Sequence, residues 1–337
     1  MDSSARSADP IIRIAFAFRD AKVLLSAVEL DVFTVLADGP LALEELRRQI
    51  AIDRRGARDF FDALVALGVL DRDKDGRYRN SPESSFFLDR RKPTYIGAEL
   101  VHVNAQLYPR WGSLTSVLRT GQAQTGAGAA GNYPAFYSDM VGLSAFLKAM
   151  SAATLQPAQA LAAKFPWTNY RTVIDIGCAE GCLPVHVARA HPHITGGGFD
   201  LPPVRQAFDS YVEGHGLSKR LRFYPGDFFQ HPLPGADVLV MGRVLHNWDL
   251  AQKKTLLRKA YEAIPADGAL IVYERMIDDA RREGVMGLLS SLNMLVMTAG
   301  GFDYTSADCM SWMREAGFRS LRSETLTSEQ SMVIAIK

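Results

Sequence analysis

The sequence predicts an α/β protein in which a mostly helical N-terminal part precedes a domain built on a parallel sheet. From Tyr170 onward, short apolar segments of strand length alternate with helical patterns, which is typical of βα units. One of these strands runs into a loop with an acid and two glycines, Val173 to Cys182. Before Tyr95 the apolar residues recur mainly at helical spacing. A chain of 337 residues is long enough for two domains.

The N-terminal part begins with a helical pattern from Pro10 to Ala37. A short helix is predicted at Leu43–Leu46, and Asp53 can cap a second helix that stops at Gly68. Two short strands follow over residues 69–80, joined by a turn rich in Asp and Gly. Two helices followed by a β-hairpin indicate a winged helix.

A winged helix raises the question of DNA binding. Between Glu29 and Lys92, twelve Lys or Arg stand against thirteen Asp or Glu, so the segment has a net charge of −1. Duplex binding needs a basic footprint on the reading face. We therefore expect a packing and dimerisation module without a nucleic-acid partner; a DNA-binding regulator that senses a ligand is the competing class.

The middle of the chain is predicted to be helical on both sides of a loop. Helical patterns cover 95–119 and 133–165, and small, helix-breaking residues fill 122–131. We divide the chain into a winged-helix domain at 1–95, a helical linker at 96–166 and an α/β domain at 167–337. Polar and aromatic residues that stand out on the first helical stretch are His102, Asn104, Gln106, Tyr108 and Trp111.

The C-terminal domain contains seven predicted strands. The last two are joined without a helix, so we expect them to form an antiparallel hairpin at the edge of the sheet. The predicted strands are 172–176, 195–200, 221–224, 236–241, 268–273, 318–322 and 331–336.

The first strand of this domain leads into a candidate nucleotide-cofactor site. Asp175, Gly177 and Gly181 form the pattern D-x-G-x-x-x-G, and the next strand ends at Asp200. Glycines let a ligand lie against the backbone, and an acid at the end of the next strand can accept both hydroxyls of a ribose. The pattern is neither a dinucleotide fingerprint nor a phosphate loop. A loop with one acid and no Lys suits a cofactor without phosphates and with positive charge, such as S-adenosylmethionine.

A third strand end adds to this site. Asp227 can meet the adenine amine and Phe228 can cover the ring, whereas a plain turn would explain either residue alone. Three such sites at the carboxyl ends of consecutive strands favour ligand binding.

The fourth and fifth strand ends carry an imidazole and a carboxylate. His246 follows the strand at 236–241 and is well placed to take a proton from a substrate hydroxyl. Glu274 ends the next strand and can hold the imidazole in one tautomer. The alternative for Glu274 is a strand cap or a partner for Arg243.

Residues 288–305 supply a candidate substrate pocket. Asn293, Met294 and Met297 lie within about one helical turn; the methionines can equally be core filler, and Asn293 needs a polar partner. The proposed apolar lining is Trp111, Phe146, Met150, Met294, Met297 and Phe302. His102, Asn104, Tyr108 and Asn293 can read polar groups of the substrate.

Taken together, the motifs resemble the small-molecule O-methyltransferases of the caffeate, phenazine and acetylserotonin type over nearly the whole chain. The motifs are Val-Ile-Asp-Ile-Gly-Cys-Ala-Glu-Gly, Gly-Phe-Asp-Leu-Pro, Pro-Gly-Asp-Phe-Phe, Leu-His-Asn-Trp-Asp and Gly-Gly-Phe-Asp-Tyr-Thr. The resemblance implies a winged-helix dimerisation domain, a Rossmann-like class I methyltransferase domain and a homodimer. It places the catalytic base on His246 and its supporting acids on Glu274 and Asp303. Leu201 and Arg243 join the expected cofactor site.

This sequence departs from the family pattern in two places. Asn247 stands where an Asp is usual, and the residues around Asp303 differ from Gly-Gly-x-Glu-Arg-Thr. Relatives that methylate carbon with a metal hold it by two histidines, and no His follows His246 here. We expect no metal.

The composition of the chain argues against a nucleic-acid-binding or membrane protein. The net charge of +1 gives no pull toward nucleic acid or anionic membranes, and no apolar stretch is long enough for a transmembrane span. An odd number of cysteines, three, and the lack of a secretory signal fit a cytoplasmic protein.

The sequence therefore predicts S-adenosylmethionine-dependent methyl transfer to a hydroxyl of a small aromatic metabolite. His246 removes the proton and Glu274 orients it. The alternative is transfer to S, C or N, with His246 binding or orienting the substrate. A catalytically dead scaffold is the third reading, which the intact cofactor motif and His246 disfavour.

Overall fold

A computed structural model describes residues 6–124 and 140–337, which form two compact units that divide between Pro109 and Arg110. The three-part division at 95 and 166 stays a prediction. Most of the predicted loop at 122–131, and the helix predicted from Tyr133 as far as residue 139, lie outside the described residues.

The first unit contains the predicted order of helix, helix and hairpin. The strands β1 and β2 pair antiparallel, with Leu70 opposite Asn80. The core is formed by buried apolar residues such as Phe33, Leu46 and Phe61. The elements are α1 (Asp9–Glu29), α2 (Val32–Val35), α3 (Leu43–Gln49), α4 (Arg54–Ala66), β1 (Leu70–Arg72), β2 (Tyr78–Asn80), α5 (Pro82–Phe87) and α6 (Gly97–His102), then a π-helical turn at Val103–Leu107. The short helix α7 (Tyr108–Trp111) contains the point at which the chain passes from the first unit to the second.

Two local predictions for this unit are confirmed and one is corrected. Asp53 caps α4 by accepting a hydrogen bond of 2.8 Å from the amide of Arg55. Gly68, just beyond the end of α4, has a φ of +74°. The helical pattern from Pro10 to Ala37 is interrupted, because Asp31 takes a left-handed φ of +60° between α1 and α2.

The second unit is a seven-stranded sheet with helices. Its strands are β3 (Thr172–Ile176), β4 (Thr195–Asp200), β5 (Leu221–Pro225), β6 (Val238–Gly242), β7 (Ala269–Glu274), β8 (Ser320–Thr325) and β9 (Ser331–Ile336). Its helices are α8 (Leu114–Thr120), α9 (Met140–Lys164), α10 (Cys182–Ala190), α11 (Arg205–Gly214), α12 (Leu250–Ala263), α13 (Val285–Met297) and α14 (Ser306–Ala316). No helix of the described ranges is both long and apolar enough to cross a membrane.

The strand order is β5-β4-β3-β6-β7-β9-β8. The pairs from β5 to β7 are parallel, while β9 is antiparallel to both β7 and β8. The predicted C-terminal hairpin at the sheet edge is therefore confirmed. The chain leaves β3 on one side toward β4 and β5 and returns on the other side to β6, so the carboxyl end of β3 is a topological switch point.

Alternating residues bury both faces of the sheet. In β6, Leu239 and Met241 belong to one apolar cluster, and Val238 and Val240 belong to the other. This two-sided burial explains why the strands read as continuous apolar runs. It also leaves the carboxyl edge of the parallel strands as the place where polar side chains collect.

Candidate active site

The loop after β3 has the backbone that a closely approaching ligand requires. Gly177 and Gly181 have φ values of +76° and +87°. A Cβ on Gly177 would lie 2.8 Å from Val244, and one on Gly181 would lie 2.6 Å from the ring of Phe208. Only glycine fits both positions without strain.

Asp200, at the end of β4, ties that loop to the neighbouring strand. Its Oδ2 accepts a 3.0 Å hydrogen bond from the amide of Ala179, and its Oδ1 accepts one of 2.7 Å from the amide of Leu201. The structure thus brings Leu201 and the glycine loop to the same carboxylate.

The acids near the glycine loop have raised pKa values, because burial disfavours their charged forms. Burial raises the pKa of Asp175 well above its ordinary value, and the charge of Asp200 adds to that rise. Burial also raises the pKa of Asp200 to about 6, although its two backbone hydrogen bonds act in the opposite direction. A ligand with positive charge and hydroxyl donors would stabilise the ionised forms of the buried Asp175 and the half-buried Asp200.

At the end of β5, Asp227 and Phe228 have local roles. The Oδ1 of Asp227 accepts a 2.8 Å hydrogen bond from the amide of Phe229, which closes the turn. The ring of Phe228 meets Trp248 edge-on, with centroids 5.6 Å apart. Their contact with an adenine stays a prediction.

The turn after β6 presents His246. Arg243 begins the turn with a left-handed φ of +57°, a backbone conformation that residues other than glycine rarely adopt. The side-chain amide of Asn247 donates to the carbonyls of Arg243, at 3.1 Å, and Val244, at 3.2 Å. A carboxylate could not donate these two bonds. The amide at 247 therefore stabilises the turn that carries His246.

His246, Glu274 and Asp303 converge on one ring nitrogen. The Nδ1 of His246 lies 3.2 Å from Oδ1 of Asp303 and 3.4 Å from Oε2 of Glu274. The other oxygen of Glu274 accepts a 3.3 Å hydrogen bond from the backbone amide of His246. Among the described residues, Nε2 has no hydrogen-bond partner, so the ring is held from the Nδ1 side.

A close backbone approach brings Asp303 into this cluster. Gly301 packs against the turn of His246 so tightly that a Cβ on it would lie 2.5 Å from the carbonyl of His246. The amide of Asp303 donates to the hydroxyl of Ser291 at 3.2 Å. The Gly-Gly sequence thus allows the 301–303 segment to bring its acid to the imidazole.

The cluster is buried and strongly coupled. Burial by itself would lower the pKa of His246, but the charge of Glu274 and the bond to Asp303 outweigh it and raise the pKa. Burial raises the pKa of Glu274 to about 7, against the charge of His246. The second oxygens, Oε2 of Glu274 and Oδ2 of Asp303, have no hydrogen-bond partner among the described residues. The protonation of His246 and that of Glu274 therefore depend on each other.

Sequence reasoning missed Lys253, whose side chain is fully buried beside this cluster. The signal was present in the pattern of α12, where Lys253 stands in line with the buried Leu256, Leu257 and Ala260 at spacings of three, four and seven. A lysine on the apolar stripe of a helix is unusual enough to mark a special environment.

Two residues predicted for the substrate pocket meet each other. The indole Nε1 of Trp111 donates a 2.9 Å hydrogen bond to Oδ1 of Asn293, although 182 positions separate them. Met294 is buried and Met297 half-buried on the same helix. Phe146 packs against the cluster that contains Leu143 and Cys178, and Met150 is half-buried.

The other three predicted substrate residues belong to the first unit. Asn104 is buried, donates to Glu29 and accepts a 2.6 Å hydrogen bond from Lys22. The hydroxyl of Tyr108 donates to the carbonyl of Phe18 at 3.3 Å, and His102 is half-buried. Their contact with a substrate stays a prediction.

His246, Glu274 and Asp303 also form a group that could hold a metal ion. One ligand atom from each lies within 4.8 Å of the others. The same arrangement of buried acids around a histidine is also that of a general base without a metal. An activity test with and without a chelator distinguishes the two.

Comparison with protein families identifies both units. Residues 111–319 match an O-methyltransferase domain, and residues 12–90 match an O-methyltransferase dimerisation domain.

Two bacterial relatives match the chain over almost its full length. The tetracenomycin polyketide synthesis 8-O-methyl transferase TcmO of Streptomyces glaucescens is 41% identical over 98% of this chain and 97% of its own. The N,N-dimethyltransferase OxyT of Streptomyces rimosus is 37% identical over 97% of this chain and 96% of its own.

A solved structure matches the fold as a whole. Human N-acetylserotonin methyltransferase in complex with S-adenosylmethionine has a TM-score of 0.91 and 27% identity, covering 100% of this chain and 99% of that one. The predicted class I methyltransferase fold is thereby confirmed.

Proposed function

The chain belongs to the S-adenosylmethionine-dependent O-methyltransferase family, and we propose that it methylates a hydroxyl of a small aromatic metabolite with His246 as general base. The observation that carries this proposal is the imidazole whose Nδ1 meets two buried carboxylates, at 3.2 and 3.4 Å, while Nε2 has no partner among the described residues.

The residues of the glycine loop fit the cofactor. S-adenosylmethionine, when bound, supplies a methyl group activated by a sulfonium. Gly177 and Gly181 leave room for a ligand against the backbone, and the raised pKa values of Asp175 and Asp200 mean that a cationic ligand would stabilise their ionised forms. Asp200 would accept the ribose hydroxyls, and Asp175 with the glycine loop would hold the methionine end.

His246 would remove the acceptor's proton through Nε2. In its neutral form with Nδ1 protonated, the ring donates to Asp303, with Glu274 beside the same nitrogen, and presents the lone pair of Nε2 to the substrate. Once Nε2 takes the proton, the two acids stabilise the imidazolium. Their charges raise the pKa of His246, which strengthens the base at neutral pH.

Trp111 and Asn293 would orient the acceptor. Their hydrogen bond of 2.9 Å fixes an indole beside an amide in the second unit, and Asn293 retains its amide donors. An aromatic metabolite could pack against the indole and accept a bond from the amide.

The test is transfer of a labelled methyl group. The protein is incubated with methyl-labelled S-adenosylmethionine and phenolic polycyclic compounds, with and without EDTA, and products are identified by mass spectrometry. We expect a labelled aryl methyl ether whose yield is unchanged by EDTA. A labelled product on another atom, or complete loss with EDTA, contradicts the proposal.

One comparison favours a second candidate, transfer to an amine. OxyT is an N,N-dimethyltransferase and matches this chain nearly as well as TcmO does. An amine that is already neutral needs no general base to attack, so His246→Gln would then retain most of the activity. The same screen with aromatic amines separates the two candidates.

We propose a homodimer as the working form, on the basis of the match to a dimerisation domain at residues 12–90. A small-molecule acceptor is the expected partner. That the chain binds no nucleic acid stays a prediction.

A further inference from the structure

Lys253 is a buried cation close to the two acids that contact the proposed base. Lys253 is 0% exposed and sits on the inner stripe of α12. Removing an ammonium from water costs free energy unless nearby groups compensate. A leucine at this position would continue the apolar stripe without that cost. The lysine therefore calls for an explanation from its contacts.

The contacts of Lys253 join the two segments that form the His246 cluster. Its Nζ donates a 2.5 Å hydrogen bond to the carbonyl of Trp248, two residues after His246. The same Nζ lies 3.3 Å from the ring centroid of Phe302 and 5.4 Å from that of Tyr304. These rings flank Asp303. One ammonium therefore contacts both the segment that carries His246 and the segment that carries Asp303.

The charges around Lys253 are those of the same cluster. Burial lowers the pKa of Lys253 to about 8, and the negative charges of Glu274, Asp303 and Asp249 counteract this. The charge of Arg243 lowers the pKa of both His246 and Glu274, and the neutral Tyr304 and Cys309 also lie near Glu274. At neutral pH the ammonium is mostly charged.

We propose that Lys253 is a positioning residue for methyl transfer, which holds the Phe302–Tyr304 segment against His246 and offsets the charge of the two supporting carboxylates. The inference rests on the proposed function, because it takes His246 to be the general base on which Lys253 acts. It adds a residue that acts through His246 and Asp303 and does not touch the substrate.

The charge balance gives the direction of the effect. Whatever the protonation of the other three groups, replacing Lys253 by methionine makes the cluster more negative by one charge. Removing a cation raises the proton affinity of every group nearby. The cluster of a Lys253→Met variant would then keep its proton to higher pH, and His246 would be ready to act as a base only in more alkaline solution.

The experiment compares pH profiles of kcat/KM for the wild type, Lys253→Met, Lys253→Gln and Lys253→Arg. We expect the acidic limb to move to higher pH in the two neutral variants, with a loss of about tenfold at pH 7. Arginine should restore the position of the limb. Thermal unfolding establishes that each variant is folded at the assay temperature, because removing one partner from a buried group of charges lowers stability.

The adjacent lysine provides a matched control. Lys254 lies on the same helix, is 40% exposed and forms a 2.7 Å salt bridge with Glu315. Lys254→Met removes the same charge from solvent and should leave the pH profile unchanged. A folded Lys253→Met variant with the wild-type acidic limb would overturn the inference.

A second readout separates this inference from the proposed function. The chain has seven histidines, and the NMR resonance of His246 can be assigned by its loss in His246→Gln. If His246→Gln is fully active, the general-base proposal fails, but the titration of His246 still tests Lys253. A titration that moves to higher pH in Lys253→Met supports the inference, and an unmoved titration overturns it.

Discussion

At the residue scale, the ring of His246 is fixed by acids from two distant parts of the chain. Glu274 ends β7, whereas Asp303 lies in the connection between α13 and α14. Glu274 holds both the backbone amide and the ring of His246, and Asp303 meets the ring alone. The two acids therefore contact different parts of His246, and removing each one should have a distinct effect.

Neutralising either acid should weaken the base. In Glu274→Gln or Asp303→Asn, loss of a negative charge lowers the pKa of His246, because those charges raise it in the wild type. The acidic limb of kcat/KM should move to lower pH, and the rate at its plateau should fall by roughly a hundredfold. Steady-state kinetics from pH 5 to 9 measure both.

Glu324→Gln is the control for that comparison, since Glu324 lies on β8 and pairs with Arg322 at the surface, away from His246. If the acid variants lose rate without any movement of the limb, the acids do not tune His246.

Asp200 should make cofactor binding depend on pH. Its pKa is about 6, above the ordinary value for an aspartate, because of burial. Only the carboxylate can accept both ribose hydroxyls, so the affinity for S-adenosylhomocysteine should fall as the pH drops through 6. Calorimetric titration between pH 5 and 8 checks this. Asp200→Asn should bind weakly at every pH, and an Asp200→Asn variant that binds like the wild type would exclude the ribose contact.

At the element scale, the loop after β3 contains a glycine with two roles, a left-handed backbone and a close approach to a neighbouring ring. Gly181 has a left-handed φ and also approaches Phe208. Gly216 has a similar φ of +69°, but a Cβ on Gly216 would meet no atom within 4 Å. Alanine at Gly216 therefore introduces backbone strain alone, whereas alanine at Gly181 introduces both backbone strain and a steric clash.

Gly181→Ala should therefore cost more than Gly216→Ala. We expect about 1 kcal/mol for the backbone term in Gly216→Ala and roughly 1–3 kcal/mol more for Gly181→Ala, where the new methyl group displaces Phe208. Denaturant unfolding measures the difference, and only Gly181→Ala should weaken S-adenosylhomocysteine binding. Equal costs would show that the loop tolerates a side chain.

The elements themselves were largely predictable from local patterns. Continuous apolar strands, Asp53 as a cap and the final hairpin all follow from short-range chemistry. Each appears, although the first strand of the hairpin runs over Ser320–Thr325 instead of the predicted 318–322. The interruption at Asp31 was not, because a left-handed aspartate leaves no break in the apolar spacing.

The candidate site was predictable where it lies on strand ends. Asp175, Asp200, His246 and Glu274 lie at or just after the ends of parallel strands, whose carboxyl ends share one edge. Lys253 and the bond between Trp111 and Asn293 depend on contacts across the fold, which spacing along the chain does not reveal.

At the scale of the whole molecule, α1 exposes apolar residues that a monomer would leave in water. Ile14 is 78% exposed and Phe18 is 54% exposed, and both lie within the match to a dimerisation domain. Burial of such side chains is the main driving force for association.

We expect a dimer with twice the chain mass of 37.1 kDa in light scattering after size exclusion. Ile14→Lys combined with Phe18→Lys should shift the population toward monomer, because two charges would enter an apolar interface. The exposed Lys254→Met variant is the control. A wild-type protein that is monomeric at micromolar concentration would contradict the homodimer.

The most direct measurement is methyl transfer by His246→Gln to the hydroxyl acceptor found in the screen, with S-adenosylhomocysteine affinity measured on the same sample. We predict that kcat/KM falls by at least roughly a hundredfold while the affinity stays at the wild-type value. Activity within about tenfold of wild type, on a variant that is folded and binds the ligand, would contradict His246 as the general base.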